Sequence, residues 1–403
     1  MATLLLLVIY MAFISLGLPD SMLGAAWPLM QQELGMPLEG AGLVSLFVTT
    51  GTIISSLLAG RLIKKFGTGK LTTLSVLTTA LALLGYSFTT HFQWLLLMAV
   101  PMGLGAGAVD VVLNDFVARH YSSRHMSWLH AFWGVGATAG PLLMAWMISL
   151  TQRWQNGYRA VSIVQFVLVA ILVASLKLWK NGEQAAVEEH SEEHGNGKLW
   201  KLPGMGPNLA AFFAYCALEL TAGLWFASYL VQIRGVKAET ATAWAASYYF
   251  GIMLGRVING FLTMHFSSKT LIRAGQTSIL LGIGLLFFPA NVFSLVGLLL
   301  VGMGCAPIYP SMLHETPARF GAANSSRLMG IQMASAYVGL TIMPPLVGLI
   351  ASKWSLKVFP FALLVLLVLM VWGSERVNRI VAGSREQGTD ISYQLPNPGE
   401  WQG

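Results

Sequence analysis

Of the 17 acidic residues in the chain, five stand inside long apolar runs: Asp20, Asp110, Asp115, Glu219 and Glu315. A charge at mid-membrane costs at least about 2.5–3.5 kcal/mol on insertion scales, so it persists where it faces a cavity or a partner. Asp115 and Glu315 each have an arginine four residues on, Arg119 and Arg319. That spacing stacks the two groups on one helix face and predicts intrahelical or gate salt bridges. Arg256, a lone cation inside an apolar run, is placed with this gate set. Asp20, Asp110 and Glu219 have no basic residue within one helical turn. A carboxylate without a cation in an apolar setting can exist neutral and can exchange a proton as its access to water changes. These three are the candidates for carrying a proton.

The company these acids keep suggests what else they touch. Asn114 shares the face of Asp110, Tyr215 and Phe226 share that of Glu219, and Trp225 is close by. His130 and Trp133 follow one turn apart in LHAFWGVGATAGP. Aromatic faces and amides around a carboxylate suit a polyhydroxylated solute, whose apolar faces stack while its hydroxyls bond the polar groups. The candidate contacts are therefore Asp20, Asn114, His130, Trp133, Glu219 and Trp225, with Tyr309 and Gln332 from later runs. No catalytic set is expected: HExxH, GxSxG and GxxxxGK[ST] are absent, and Asp20 and Asp110 follow Pro19 and Val109 rather than the residues an intramembrane aspartyl protease needs. Cys216 and Cys305 stand singly in apolar segments, which argues against a disulfide framework or a zinc site. Neither a metal nor an organic cofactor is expected.

The elements that must hold these residues follow from composition. Across 403 residues, 55% are hydrophobic and only 10% charged, with a mean hydropathy of +0.64. A soluble domain uses about a quarter of its residues as charges, so most of this chain faces lipid or its own helices. A span needs about 20 apolar residues. Twelve such segments fall near 4–30, 41–62, 71–90, 94–119, 126–151, 158–179, 207–232, 240–263, 271–289, 293–316, 326–351 and 357–375. The predicted fold is all-α membrane, divided into a first six-helix bundle (1–179), a charged linker (180–205), a second bundle (206–375) and a polar tail (376–403) expected to be poorly ordered.

The net charge of +7 could indicate nucleic acid, but the basic residues lie between the apolar runs. With both termini cytoplasmic, 17 of the 24 Lys and Arg fall on inner loops and tail and 6 on outer loops. That positive-inside bias predicts a multi-pass protein of the inner, cytoplasmic membrane, with lipid and a small solute as partners and no nucleic acid. A monomer is expected. The first segment lacks a basic n-region and carries Pro19 and Asp20, so it is expected to remain uncleaved.

The two halves repeat one plan. At an offset of 200, Gly51, Gly60, Leu62, Phe66 and Leu71 fall on Gly251, Gly260, Leu262, Phe266 and Leu271; at 199, Gly103 and Gly105 fall on Gly302 and Gly304, and Asp20 on Glu219. Two six-span halves with parallel symmetry are the plan of transporters. The chain resembles the major facilitator superfamily, and within it the fucose permease branch of sugar–proton symporters. The passages AGRLIKKFGTGK (59–70), GLGAGAVDVVLNDF (103–116), GRVINGFLTMHFSSKTL (255–271) and GMGCAPIYPSM (302–312) carry the resemblance. It implies that Asp110 is the coupling carboxylate, Asn114 its amide and Asp20 the first-span acid. Glu219 departs from the branch, which has an amide there.

The resemblance and the acids together predict alternating-access symport of a sugar or similar small polar solute with H⁺, Na⁺ being left open as the coupling ion. Proton-driven export of drugs or organic cations, and a non-transporting membrane sensor, are the alternatives.

Overall fold

The computed structural model describes residues 2–121, 123–183, 202–320 and 325–386, and among these residues there is no β-strand. The first span is two helices, α1 (Ala2–Asp20) and α2 (Met22–Glu33), broken at Ser21. The apolar run over 4–30 predicts a single unbroken span. Pro19 has no N–H to return to the Ser15 carbonyl four residues back, and that carbonyl is satisfied from outside by Gln165 Nε2 at 2.9 Å, whose Oε1 accepts from Thr79. A proline thus leaves a backbone group open in the membrane, and a neighbouring amide closes it. Asp20 ends up at the break.

The first half continues with α3 (Gly40–Phe66), α4 (Thr68–Tyr86), α5 (Phe92–His120), α6 (Ser123–Thr151) and α7 (Trp154–Glu183). The second half has α8 (Met205–Gln232), α9 (Ala238–Leu262), α10 (Ser268–Leu285), α11 (Asn291–His314), the short α12 (Thr316–Phe320), α13 (Ser325–Lys353) and α14 (Phe359–Glu386). Ten of these elements, with α1 and α2 counted as one, are long and apolar enough to cross a membrane. Helices α9 and α10, which carry Arg256 and Arg273, occupy in the second half the places of α3 and α4, and so make twelve. The last helix runs through Glu386 rather than stopping at 375, so Arg376 and Arg379 are helical. The interior of the expected 180–205 linker and the tail beyond 386 lie outside the described residues.

Packing repeats along with sequence. In the first half α1 packs on α6 and α7, α3 on α5, and α4 on α5 and α7; in the second, α8 packs on α13 and α14, α9 on α11, and α10 on α11 and α14. Glycines set the closest of these approaches. A Cβ on Gly103 would stand 2.0 Å from the Val48 carbonyl oxygen, and one on Gly302 would stand 2.1 Å from that of Tyr248. Gly51 sits against Val100 and Leu104, and Gly251 against Leu299 and Met303. Contacts between corresponding residues recur in both halves, so the offset near 200 is a structural repeat. Lipid offers no hydrophobic drive between helices, and small residues that let backbones meet supply the packing instead. The outer faces carry Leu57, Phe261, Val365 and Leu150, all well exposed, as lipid-facing surfaces do.

The halves meet along α6 with α9, α3 with α13, and α2 with α8. They touch closely at one end. There Gln232 donates to Gln31 at 3.2 Å, Thr242 donates to the Ala25 carbonyl at 2.9 Å, and Gly42 lies against Pro345.

Candidate functional site

A cavity of about 320 Å³ opens between the two halves, within the size range of small-ligand sites. Its polar lining comes from both. The first half contributes Asp20 at the helix break, Thr49 and Thr52 from α3, Tyr86 from α4, Trp133 from α6 and Tyr158 from α7. Glu219 and Cys216 from α8, with Tyr248, Tyr249 and Arg256 from α9, come from the second.

Two acids and one cation organise this wall. Trp133 Nε1 donates to Asp20 Oδ2 at 2.9 Å, and the Arg256 guanidinium lies over the same indole, 4.7 Å from the ring centre. Arg256 Nη2 is 3.8 Å from Glu219 Oε1, and Nη1 donates to the His130 carbonyl at 3.4 Å. Tyr248 fixes the helix bearing Glu219 by donating to its backbone carbonyl at 2.8 Å. Polar groups of the two bundles thus converge on one guanidinium.

Glu219, which has no basic residue within one helical turn, receives its cation from another helix, and the salt bridge expected of Arg256 forms inside the cavity wall. Their separation in sequence hid the pair, since Arg256 reaches Glu219 from a different helix. Its partner is one of the proposed substrate contacts, and it lines the cavity.

Asp110 does not itself line the cavity. It lies on α5 one turn beyond Ala106, which does, and its Oδ1 accepts from Asn114 Nδ2 at 2.9 Å, the partnership the four-residue spacing predicted. Asp20 and Arg256 are both within electrostatic reach of its carboxylate.

Several expected contacts fall elsewhere. Trp225 is fully buried in the second half, where its Nε1 donates to the Pro344 carbonyl at 2.9 Å and its ring packs on Gly348. It ties α8 to α13. Gln332 is also fully buried, and its Oε1 accepts from Thr316 at 3.0 Å. Tyr309 meets Phe212 edge-on and Tyr215 at a tilt, with ring centres 5.7 Å from each, and does not line the cavity. The His130 ring meets Phe13 edge-on at 5.9 Å, and its backbone carbonyl is what accepts from Arg256. These four are packing residues or second neighbours, as aromatics and amides in a helical core commonly are.

At the other membrane end, Glu315 and Arg319 form the expected pair at 3.4 Å, and Arg319 also donates to Asn378 at 3.0 Å. Asp115 lies near the end of α5, but the side chain of Arg119 is outside the described residues. Sequence reasoning missed Tyr86, Tyr248, Tyr249, Thr49 and Thr52. Tyr248 and Tyr249 could have been found, because they precede Arg256 by eight and seven residues and share its helix face.

Comparison with known proteins agrees with this architecture. The chain is 24% identical to the glucose/mannose transporter of Bacillus subtilis over 315 residues, which are 75% of this chain and 77% of that protein. It is 22% identical to the cis,cis-muconate transport protein of Acinetobacter baylyi over 346 residues, 81% of this chain and 82% of that one. In structure it is similar to a D-xylose-proton symporter, with a TM-score of 0.72 at 12% identity, over 93% of this chain and 97% of that one. The family model of the Major Facilitator Superfamily matches residues 9–237 and 207–392, and the chain belongs to that superfamily of membrane transporters.

Proposed function

We propose that the protein is a secondary active transporter that carries a sugar or similar small polar solute together with a proton by alternating access. The observation that carries this reading is the cavity between the halves, where Asp20, Glu219, Arg256 and Trp133 converge from both bundles. A solute bound there touches both halves, so a change in their relative tilt changes its access. Hydroxyls of Thr49, Thr52 and Tyr86 offer bonds for a hydroxylated solute, and the indole of Trp133 offers an apolar face. Relatives are named for transport of glucose and mannose and of cis,cis-muconate, all small polar solutes.

In this reading the termini are cytoplasmic, and the contacts of Gln31 with Gln232 and of Ala25 with Thr242 seal the external end. Asp110 carries the proton, and its bond to Asn114 transmits the protonation state to α5.

Uptake by protein reconstituted into liposomes tests the proposal. With a panel of sugars and sugar derivatives, an inward proton gradient should drive accumulation, a protonophore should abolish it, and a sodium gradient alone should not replace it. Binding without flux in any gradient would instead make the protein a sensor.

A further inference from the structure

The guanidinium of Arg256 is the least satisfied charge that the cavity wall presents. It approaches Glu219 through a single contact at 3.8 Å, which is too long for a hydrogen bond, and its one hydrogen bond among the described residues goes to a backbone carbonyl at 3.4 Å. A guanidinium carries five donors in a planar fork that matches a carboxylate in two parallel bonds. The chain makes such a pair elsewhere. Arg273 holds both oxygens of Glu375 at 2.7 Å, outside the cavity. Side chains of Arg256 and Glu219 remain 21% and 24% exposed, so the gap between them faces open space. The indole of Trp133 lies beneath the guanidinium, its ring centre 4.7 Å away.

We infer that the transported solute bears a carboxylate, which takes the Arg256 fork in place of Glu219 while a proton on Glu219 keeps the site neutral. This rests on the transport reading above and narrows its substrate class to sugar acids and comparable small organic acids. The charges balance. With Glu219 ionised, the pair is neutral and the fork is partly engaged. When a proton arrives from the aqueous side onto a Glu219 oxygen, the cation is released, and the solute's carboxylate restores neutrality. The Glu219 proton thus accompanies the carboxylate with no net charge and leaves with it on the far side, separate from the driving proton that Asp110 carries. A neutral sugar would leave the guanidinium as it is and gain nothing from that proton.

Groups that face Glu219 permit this exchange. Tyr215 and Cys216 lie beside it on α8, Tyr248 and Tyr249 accompany Arg256 on α9, and Cys305 and Tyr309 face it from α11. Across the cavity stands Asp20. Arg256 is thus the one cation in this set.

The test is thermal stability of the purified full chain against matched probes, because a ligand that binds the folded state raises apparent stability. D-Glucuronate, D-galacturonate and small mono- and dicarboxylates are set against D-glucose, D-galactose and neutral polyols of the same size, at about pH 5.5 and 7.5. Charge-assisted bonds to the fork should make at least one acid bind about tenfold or more tighter than its neutral counterpart, and more tightly at the lower pH. Arg256→Met should erase the preference and Arg256→Lys should reduce it. Glu219→Gln should keep the preference and lose its pH dependence. The wild-type comparison needs no substitution, so a variant that fails to fold does not block the test. Neutral probes that bind as tightly as the acids would overturn the inference while leaving sugar symport standing. Acid binding unchanged in folded Arg256 variants would overturn it as well. Binding of no probe at either pH would also overturn it, and the transport reading would then be judged by gradient-driven uptake alone.

Discussion

The guanidinium of Arg256 on α9 lies 4.7 Å from the centre of the Trp133 ring on α6, and the same indole donates to Asp20 at 2.9 Å. One tryptophan therefore joins an acid of the first bundle to a cation of the second. A cation–π contact contributes about 0.5–2 kcal/mol depending on its desolvation. That is strong enough to bias the packing of the halves and weak enough to break and re-form.

Substitution at Trp133 separates the two contacts. Trp133→Phe keeps a ring under Arg256 and loses the bond to Asp20, whereas Trp133→Ala loses both. Initial uptake should fall several-fold for Phe and more than tenfold for Ala, with both proteins reaching the membrane at normal abundance. Equal loss in the two would assign the whole effect to the bond with Asp20.

The repeated glycine contacts make a prediction about folding. Gly103→Ala and Gly302→Ala would each place a methyl about 2 Å from a carbonyl oxygen of the neighbouring helix. The helices must separate, which costs about 1–3 kcal/mol as overpacking does. Gly60, in α3, has nothing within 4 Å of its Cβ position. Alanine there should be neutral, or stabilising by about 0.5–1 kcal/mol through helix propensity. Thermal unfolding in detergent checks the contrast: both buried variants should melt lower than wild type and Gly60→Ala should not.

Movement of the halves can be tested at the end where they touch. Gln232 Nε2 is 3.2 Å from Gln31 Oε1. Cysteines at both positions, bridged by a short membrane-impermeant reagent added outside the cell, should stop uptake, and a reducible bridge should restore it on reduction. Cys305 is fully buried, and Cys216, which lines the cavity, is replaced by serine in this background. Bridging with uptake unchanged would mean that this end need not open, and bridging only in inverted vesicles would reverse the orientation.

How much of this was legible in the sequence varies with the distance over which the interaction acts. Twelve spans, two halves and the four-residue pairs Asp110 with Asn114 and Glu315 with Arg319 are properties of single helices or of a fixed offset, and they could be read directly. The break at Ser21 was less visible, because it depends on Gln165 of α7 closing the carbonyl that Pro19 leaves open. The pairing of Glu219 with Arg256 and the capping of Trp133 by that cation depend on how three helices cross, which no local pattern encodes. Trp225 shows the converse. Its proximity to Glu219 in sequence suggested a site, but the two residues are six apart, and that spacing turns the indole toward α13 and away from the cavity.

Asp110 carries the remaining prediction, which concerns coupling. Its Oδ1 accepts from Asn114 Nδ2 at 2.9 Å on the same helix, and the glycines one and two turns earlier, at 107 and 103, hold α5 against α3 at Thr52 and Val48. Asp110→Asn keeps the size of the side chain and an oxygen for Asn114, but it cannot take up or release a proton. If Asp110 couples, accumulation driven by a proton gradient should be lost in this variant, while counterflow exchange, which needs no net proton movement, should stay within a few-fold of wild type. Asn114→Ala should leave coupling in place and shift the pH at which uptake is half-maximal, since it removes the bond that favours the ionised carboxylate. An Asp110→Asn protein that still concentrates solute, with its pH profile unchanged, would move the coupling role to Asp20 or Glu219, the two acids that line the cavity itself.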